Sequence, residues 1–311
     1  MTLSIGLLGL GAIGTVMASY WRQHRLYVLG RSPQSPTMAT PPLERTLQYG
    51  PDIRASHPEW PETLTLSLPP WNHQRLDWLM ITTKAGDTLD ALLPYASKLH
   101  QVDRILLLQN GMGQHEQVAH WLKEQGQSCE LWHGISTDGA YRLENNSVIY
   151  AGLGDVWIGL PSAQANGLPR QITSHLPHTQ VVSDILTRQR QKLAINAVIN
   201  PLTACYRCLN GALISNPEYR APLHSLAIEI EQLYQHQGWP LPDQLPERVT
   251  QIALSTADNR SSSLQDVLAN RPTELDHICG YLLAQASAAK IDLPLTRALM
   301  DQLNIRSGLP T

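Results

Sequence analysis

One N-terminal stretch restricts the fold more than any other. Residues 3–8, LSIGLL, are followed at once by Gly9-Leu10-Gly11-Ala12-Ile13-Gly14 and then by TVMASYWRQ in a helical pattern. The apolar run is rich enough for a buried strand, so the order is strand, GxGxxG, helix. Gly9 allows the tight turn, Gly11 lets a pyrophosphate approach the backbone N–H groups at the helix start, and Gly14 lets the helix pack on the strand. The expectation is a dinucleotide-binding parallel sheet with residues 9–14 on the phosphates; a glycine turn with a purely structural role is the alternative.

The next strand is expected at Leu26–Leu29, ending at Gly30-Arg31-Ser32. Where an NAD-type site carries an acidic residue for the ribose hydroxyl, this strand end carries Arg31 and no carboxylate is near. A guanidinium there suits the 2′-phosphate of NADPH, although an exposed loop arginine is the simpler role. Residues 33–70 are rich in proline and polar residues and read as loop with short edge strands such as Thr63–Leu68. A strand at Trp78–Thr82 then leads into an amphipathic helix, with Lys84 just past the carboxyl end of the strand. Lys84 is placed for cofactor phosphate or for solvent. Arg104–Leu108 is a further strand, closed by Gln109-Asn110-Gly111-Met112-Gly113. Asn110 can face nicotinamide and substrate there, or can simply be the turn residue of an Asn-Gly pair. Strands at Glu130–Thr137, Ser147–Tyr150 and Val156–Leu160 follow, the last two read as a hairpin across AGLGD.

The 311 residues suit two domains. The segment PSAQANGLPR has linker composition, a last strand is expected within Thr173–Ile185, and from Asp184 onward strand signals vanish and helical periods take over. The division is therefore drawn as 1–183, an α/β Rossmann-type unit, and 184–311, an all-α unit. A net charge of −3 offers no electrostatic case for nucleic acid or an anionic membrane. No apolar run approaches the roughly 20 residues of a spanning helix, and no basic region precedes the N-terminal apolar run, which points to a cytoplasmic protein with a small-molecule partner. Self-association is compatible with the sequence. The four cysteines, Cys129, Cys205, Cys208 and Cys279, are too scattered for a disulfide framework. Cys205 and Cys208 form a CxxC inside an apolar helical run, which reads as packing, and no metal site is expected.

The second half is organised by QKLAINAVINPLTACYRCLNGAL, residues 191–213. Lys192, Asn196 and Asn200 stand four apart and drift only about 80° around a helix, so they share one face of an otherwise apolar element. A buried amide or ammonium costs several kcal/mol unless paired, so the stripe is either a satisfied internal network or the wall of a polar ligand site. Pro201 is expected to kink or break this helix and to free backbone groups near Asn200. Further helices are expected at Ala221–Gly238 and Pro246–Thr256. A long one is expected from about Thr273, with Pro272 in its first turn and Glu274 at the favourable end of its dipole.

The glycine turn, Lys84 and Asn110 in the first half, with KLAINAVINPLTACYRCLNGAL and NRSSSLQDVLANRPTELDHICG in the second, make the sequence resemble the 2-dehydropantoate 2-reductase (ketopantoate reductase) family over nearly its whole length. The resemblance implies a Rossmann domain, an all-helical domain and a cleft between them. The implied reaction is NADPH-dependent reduction of 2-dehydropantoate to (R)-pantoate, on the route to pantothenate and coenzyme A. By position it implies Lys192 as general acid and Glu274 as the second catalytic residue, able to orient the amine, with Asn110, Asn196, Asn200, Asn210 and Ser262 on the substrate. Asn110 and Glu274 act beside the nicotinamide, Ala140 offers a backbone N–H, Lys84 approaches the adenosine phosphate, and Gly9, Leu10, Gly11, Ala12, Ile13 and Gly14 hold the pyrophosphate. Two other readings stay open: a related NADPH-dependent 2-oxo acid reductase with a different substrate, and a non-catalytic NADPH-binding sensor.

Overall fold

In the computed structural model, which describes residues 2–30, 41–143, 146–161 and 176–307, the chain divides into two compact units. The first comprises Met1–Gln109 and Gln114–Leu186; the second comprises Asn110–Gly113 and Thr187–Thr311.

The first unit is built on β1 (Ser4–Leu8), whose five residues are all buried. A strand apolar at every position must be covered on both faces, which is the situation of a central strand in a parallel sheet. β1 pairs in parallel with β2 (Arg25–Leu29) on one side and with β5 (Leu76–Ile81) on the other. β6 (Val102–Leu107) and β7 (Glu130–Ser136) continue the parallel sheet from β5. β10 (Val156–Gly159) then joins β7 antiparallel, and β11 (Thr179–Val181) closes that edge. The chain leaves β1 toward β2 and returns on the opposite side at β5. The carboxyl ends of β1 and β5 therefore flank the point where strand order reverses, the place where open α/β sheets bind ligands.

A second, four-stranded sheet in the order β4-β3-β9-β8 is formed by β3 (Leu43–Tyr49), β4 (Thr63–Leu68), β8 (Gly139–Arg142) and β9 (Ser147–Gly152). In β3 burial alternates, so one face packs and the other is wet. The packed face covers α1 (Ala12–Tyr20), the helix that follows the glycine turn. Asp138 fastens the same region: its buried carboxylate accepts from the hydroxyls of Tyr20, Tyr150 and Ser136 and from the Gly154 N–H.

Three sequence expectations fail in this unit. The stretch read as loop with short edge strands holds β3, which is an interior strand because β4 and β9 pair with it on either side, and a helix at Pro51–Ser56. The expected hairpin of Ser147–Tyr150 with Val156–Leu160 does not form, because β9 pairs with β3 and β8 while β10 pairs with β7 in the other sheet. The AGLGD turn carries the chain between sheets, tied to Asp138 through Gly154. The amphipathic helix expected after Lys84 is split into a 3-10 turn (Ala85–Asp87), the short α3 (Thr88–Leu92) and a 3-10 stretch from Leu93, since Pro94 cannot donate within a continuing α-helix.

The second unit is helical. Its centre is α5 (Ile185–Tyr206), which starts at the end of the first unit; α2 (Pro51–Ser56) and α4 (Gln114–Glu124) belong to that first unit. Leu193, Ala194, Ala197, Val198 and Leu202 of α5 share one buried apolar cluster with Leu226, Ile230 and Leu233 of α7 (Pro217–Gln237), α6 being the single turn Ala212–Ser215. α7 stops at Gly238 in the left-handed region, as its sequence suggests. α8 (Leu245–Ser255), α9 (Ser262–Leu268), α10 (Tyr281–Ala289) and α11 (Pro294–Ser307) complete it.

Pro201 does not break α5. A proline leaves the carbonyl four residues earlier without its N–H, here that of Ala197, and the fully buried thiol of Cys279 donates to it at 3.8 Å. Burial pushes that thiol up to about 12, Asp276 adding to the effect, so it stays protonated and able to donate. The freed backbone group is thus turned into the core and not toward a ligand. The long helix expected from about Thr273 begins instead with a π-turn at Asp276–Gly280 before α10, and Pro272 and Glu274 precede it. Glu274 stands directly before this helical run, its carbonyl accepting from the His277 and Ile278 N–H groups, so it lies at the amino-terminal end where the dipole favours a carboxylate.

Candidate active site

In the first unit the glycine turn has the geometry its spacing suggests. Gly9 has φ +92°, and a Cβ there would stand 2.7 Å from the Thr82 carbonyl carbon and 2.9 Å from Thr83 Cα, so only glycine lets the turn lie on the end of β5. A Cβ at Gly11 would meet nothing within 4 Å. The turn is therefore tight toward the protein and open over Gly11. Helix α1 starts there with no side-chain cap and no acidic residue in its first turn, which leaves the N–H groups and positive pole of its N-terminus exposed to an anion. Thr82 Oγ1 donates to the Gly9 carbonyl, and Gln109 Nε2 donates to the Thr83 carbonyl at 3.1 Å and to Thr88 Oγ1. Gln109 Oε1 is buried with no partner among the described residues. An orphaned acceptor beside an open glycine turn fits a dinucleotide better than a purely structural turn. Lys84 caps the 3-10 turn directly after β5 and is half-buried; Ala140 is half-buried on β8. Arg31 lies outside the described residues.

In the second unit three side chains far apart in sequence meet. Lys192 Nζ, on α5, donates to Asn110 Oδ1 at 2.9 Å, and Asn110 Nδ2 donates to Glu274 Oε2 at 3.2 Å. The carboxylate can only accept, so it fixes the amide with its oxygen toward the ammonium. Asn110 is held by the tetrapeptide Asn110–Gly113, which packs on the π-turn: Met112 N–H donates to the His277 carbonyl at 2.9 Å. Gly111 has φ +83°, and a Cβ there would fall 2.7 Å from the carbonyl carbon of His277. Burial holds the His277 imidazole below the ordinary histidine range, with Asp276 and the Met112 backbone opposing.

The rest of the polar stripe separates into two kinds of residue. Asn200 is buried and its Nδ2 donates to Ser262 Oγ at 3.4 Å, whereas half-buried Asn196 makes no side-chain hydrogen bond to a described residue. Ser261 is committed to structure: it caps α9 through Leu264 N–H and shares a hydrogen bond of 2.7 Å with Thr203. Ser262 is exposed and faces Asn200, which distinguishes it from its neighbour. Asn210 is placed elsewhere, its Nδ2 donating to Thr256 Oγ1 at 2.9 Å while its buried Oδ1 has no partner among the described residues. Cys205 is buried in the core of the unit. Among the described residues no group of three or more His, Cys, Asp or Glu is arranged to hold a metal, and no helix is long and apolar enough to cross a membrane.

Sequence reasoning missed Gln109, Gly111 and His277. The QNGMG string contained the first two, but a glycine's meaning appears only when the backbone it packs against is known. It also missed Arg45 of β3, a single arginine in a polar strand with no motif around it.

The family model "Ketopantoate reductase PanE/ApbA" matches residues 5–163, and "Ketopantoate reductase PanE/ApbA C terminal" matches residues 184–307. The chain is 34% identical over 244 residues to the 2-dehydropantoate 2-reductase of Yersinia pestis, covering 75% of this chain and 77% of that one. It is similar to the crystal structure of a probable 2-dehydropantoate 2-reductase from Bacillus subtilis, with a TM-score of 0.73, 27% identity, and 98% and 100% of the two chains covered. The fold is shared more widely: the ternary structure of D-mandelate dehydrogenase with NADH and anilino(oxo)acetate gives a TM-score of 0.79 at 15% identity, covering 98% of this chain and 99% of that one. The Rossmann-like N-terminal sheet and helical C-terminal unit are those of this group, and the chain belongs to the ketopantoate reductase PanE/ApbA family.

Proposed function

We propose that the chain reduces 2-dehydropantoate to (R)-pantoate with NADPH, on the route to pantothenate and coenzyme A. The observation that carries the reading is the Lys192–Asn110–Glu274 chain, an ammonium held by an amide that a carboxylate fixes in turn. As a ketone is reduced, negative charge develops on its oxygen, so a 2-oxo acid reductase needs a cation there that can also deliver a proton. We assign that task to Lys192. NADPH, when bound, supplies the hydride to the ketone carbon.

Asn110 takes one N–H of the ammonium and so sets the direction of the others, while Glu274 keeps the amide from flipping. Asn196, Asn200, Asn210 and Ser262 offer neutral donors and acceptors for the carboxylate and hydroxyl of the substrate, adding no charge that would compete with Lys192. The Asn196 amide, with no side-chain hydrogen bond to a described residue, and the buried Oδ1 of Asn210, with no partner among the described residues, support this, since they keep hydrogen-bonding capacity to spare. On the cofactor side the reading gives the pyrophosphate to residues 9–14, the 2′-phosphate to Arg31, the adenosine phosphate to Lys84, and the nicotinamide to Asn110, Glu274 and the backbone of Ala140. It makes 1–183 the nucleotide domain and 184–311 the catalytic domain of a cytoplasmic enzyme with no nucleic-acid or membrane partner. Self-association is compatible with it; a similar ketopantoate reductase from Staphylococcus aureus is described as dimeric.

NADPH consumption with 2-dehydropantoate, with NADH as control, tests the reading. Lys192→Ala is expected to lower kcat by about 10²- to 10⁴-fold while NADPH affinity is nearly kept; wild-type turnover in that variant refutes the assignment. The likeness to D-mandelate dehydrogenase favours one rival, a reductase of the same architecture for another 2-oxo acid. Comparing kcat/KM across a panel of 2-oxo acids decides between them, and turnover of none would favour a sensor.

A further inference from the structure

Among the described residues Arg45 is a cation with no counter-charge. It is 9% exposed, on the face of β3 that packs toward α1. Its Nε donates to the carbonyl of Leu10 at 3.4 Å and its Nη1 to the carbonyl of Glu44 at 3.1 Å. Both acceptors are neutral, and no carboxylate among the described residues pairs with it. Its charged neighbour is another cation, Arg142, and together with burial this pulls the Arg45 guanidinium below its ordinary value. The strand register explains the pairing: Leu47, Val148 and Arg142 stand opposite one another across β3, β9 and β8, and Arg45 lies two residues from Leu47 on the same face.

A buried, unpaired guanidinium costs several kcal/mol, and a methionine or leucine would fill the position more favourably. What distinguishes the position is Leu10, which lies between Gly9 and Gly11. Arg45 is therefore fastened to the glycine turn itself, beside an uncapped helix N-terminus with no acid in its first turn and open space over Gly11. The Arg45 and Arg142 charges and the pole of the helix are all positive, and no carboxylate among the described residues pairs with Arg45.

We propose that Arg45, supported by Arg142, is the side-chain clamp for the pyrophosphate of the dinucleotide, a contribution beyond that of the glycine turn. The inference rests on the reading of the chain as a dinucleotide-dependent reductase. A diphosphate anion bridging the helix N-terminus and the Arg45 fork offsets the burial of the cation, and the Leu10 carbonyl presets the guanidinium plane.

The test is direct binding, by calorimetry, of NADPH, NADH, ADP-ribose and 2′-AMP to the full-length protein. For Arg45→Met the expected result is a rise in Kd of about 10- to 100-fold, by a similar factor for NADPH, NADH and ADP-ribose, all of which contain the pyrophosphate. 2′-AMP, which lacks it, is expected to change less than about twofold, and Arg45→Lys is expected to recover part of the loss because it keeps the charge without the fork. Unchanged affinities in a folded Arg45→Met protein overturn the proposal, and so does a loss confined to NADPH and 2′-AMP, which would move Arg45 to the 2′-phosphate. Should Arg45→Met fail to fold, the exposed Arg142→Ala serves instead. Its expected result is a several-fold rise in Kd for the same three ligands with a shallower salt dependence, and no change overturns the proposal. Wild-type protein that binds no NADPH defeats the functional reading itself; wild-type binding with unaffected variants defeats this assignment alone.

Discussion

Replacing Gly111 by alanine separates positioning of the site from its stability, because Gly113 provides a matched control two residues away. Both glycines have positive φ, +83° and +97°, so alanine at either costs about 1–2 kcal/mol of backbone strain. They differ in what the new methyl meets. At Gly113 the nearest atom is a ring carbon of Tyr281 at 3.6 Å, an ordinary contact. At Gly111 the methyl would lie 2.7 Å from the His277 carbonyl carbon and 2.8 Å from its Cβ, with the carbonyl oxygen closer still. Carbon atoms rest near 3.5 Å, so the tetrapeptide must withdraw by on the order of 1 Å.

That withdrawal breaks the Met112–His277 hydrogen bond, at about 1 kcal/mol. It also carries Asn110 out of range of Lys192 and Glu274, now at 2.9 Å and 3.2 Å. Stability should therefore fall by about 2–3 kcal/mol in Gly111→Ala against 1–2 in Gly113→Ala, while kcat should fall about 10²-fold in the first only, the usual consequence of a 1 Å misplacement. Urea unfolding and steady-state reduction of 2-dehydropantoate measure the two quantities. If kcat of Gly111→Ala lies within about threefold of Gly113→Ala, the seating of Asn110 on the π-turn does not matter to the reaction and the reasoning is wrong.

Two further expectations concern stability. Cys279→Ala leaves the Ala197 carbonyl unpaired and should cost about 1–2 kcal/mol; in a Pro201→Ala background, where residue 201 supplies the missing N–H, the cost should shrink. Equal costs in both backgrounds, measured by denaturant midpoints, would show that the thiol does not serve that carbonyl. His115, His178 and His277 are each held below the ordinary 6.5, chiefly by burial. Their native forms resist protonation that the unfolded chain accepts, so stability is full above about pH 6.5 and declines as pH falls through that value. His115→Gln should flatten the dependence of the urea midpoint on pH between 7.5 and 5.5; an unchanged slope would exclude a contribution from that ring.

Much of the fold could be read from local pattern. β1 is apolar at each position and is followed by glycines, so its place at the centre of a parallel sheet and the turn after it are properties of a single stretch. Likewise Lys192, Asn196 and Asn200 share a helix face because four residues make about one turn, and α7 ends where Gly238 says it should. Pairing was not local. Whether β9 meets β10 or β3 depends on which sheet needs an edge partner, and nothing within AGLGD encodes that. That the helix continues through Pro201 was hidden for the same reason, since the thiol that serves the freed carbonyl comes from a residue far along the chain.

The sequence by itself determined the glycine turn, the succession from strands to helices, and the apolar helix with its polar stripe, because each follows from the conformational limits and periodicity of neighbouring residues. Tertiary structure alone decided that Asn110 joins Lys192 and Glu274, that Ser262 and not Ser261 is the available hydroxyl, and that Arg45 is fastened to the Leu10 carbonyl. These are contacts between residues tens to more than a hundred positions apart, set by packing and by where a buried polar group can find a partner.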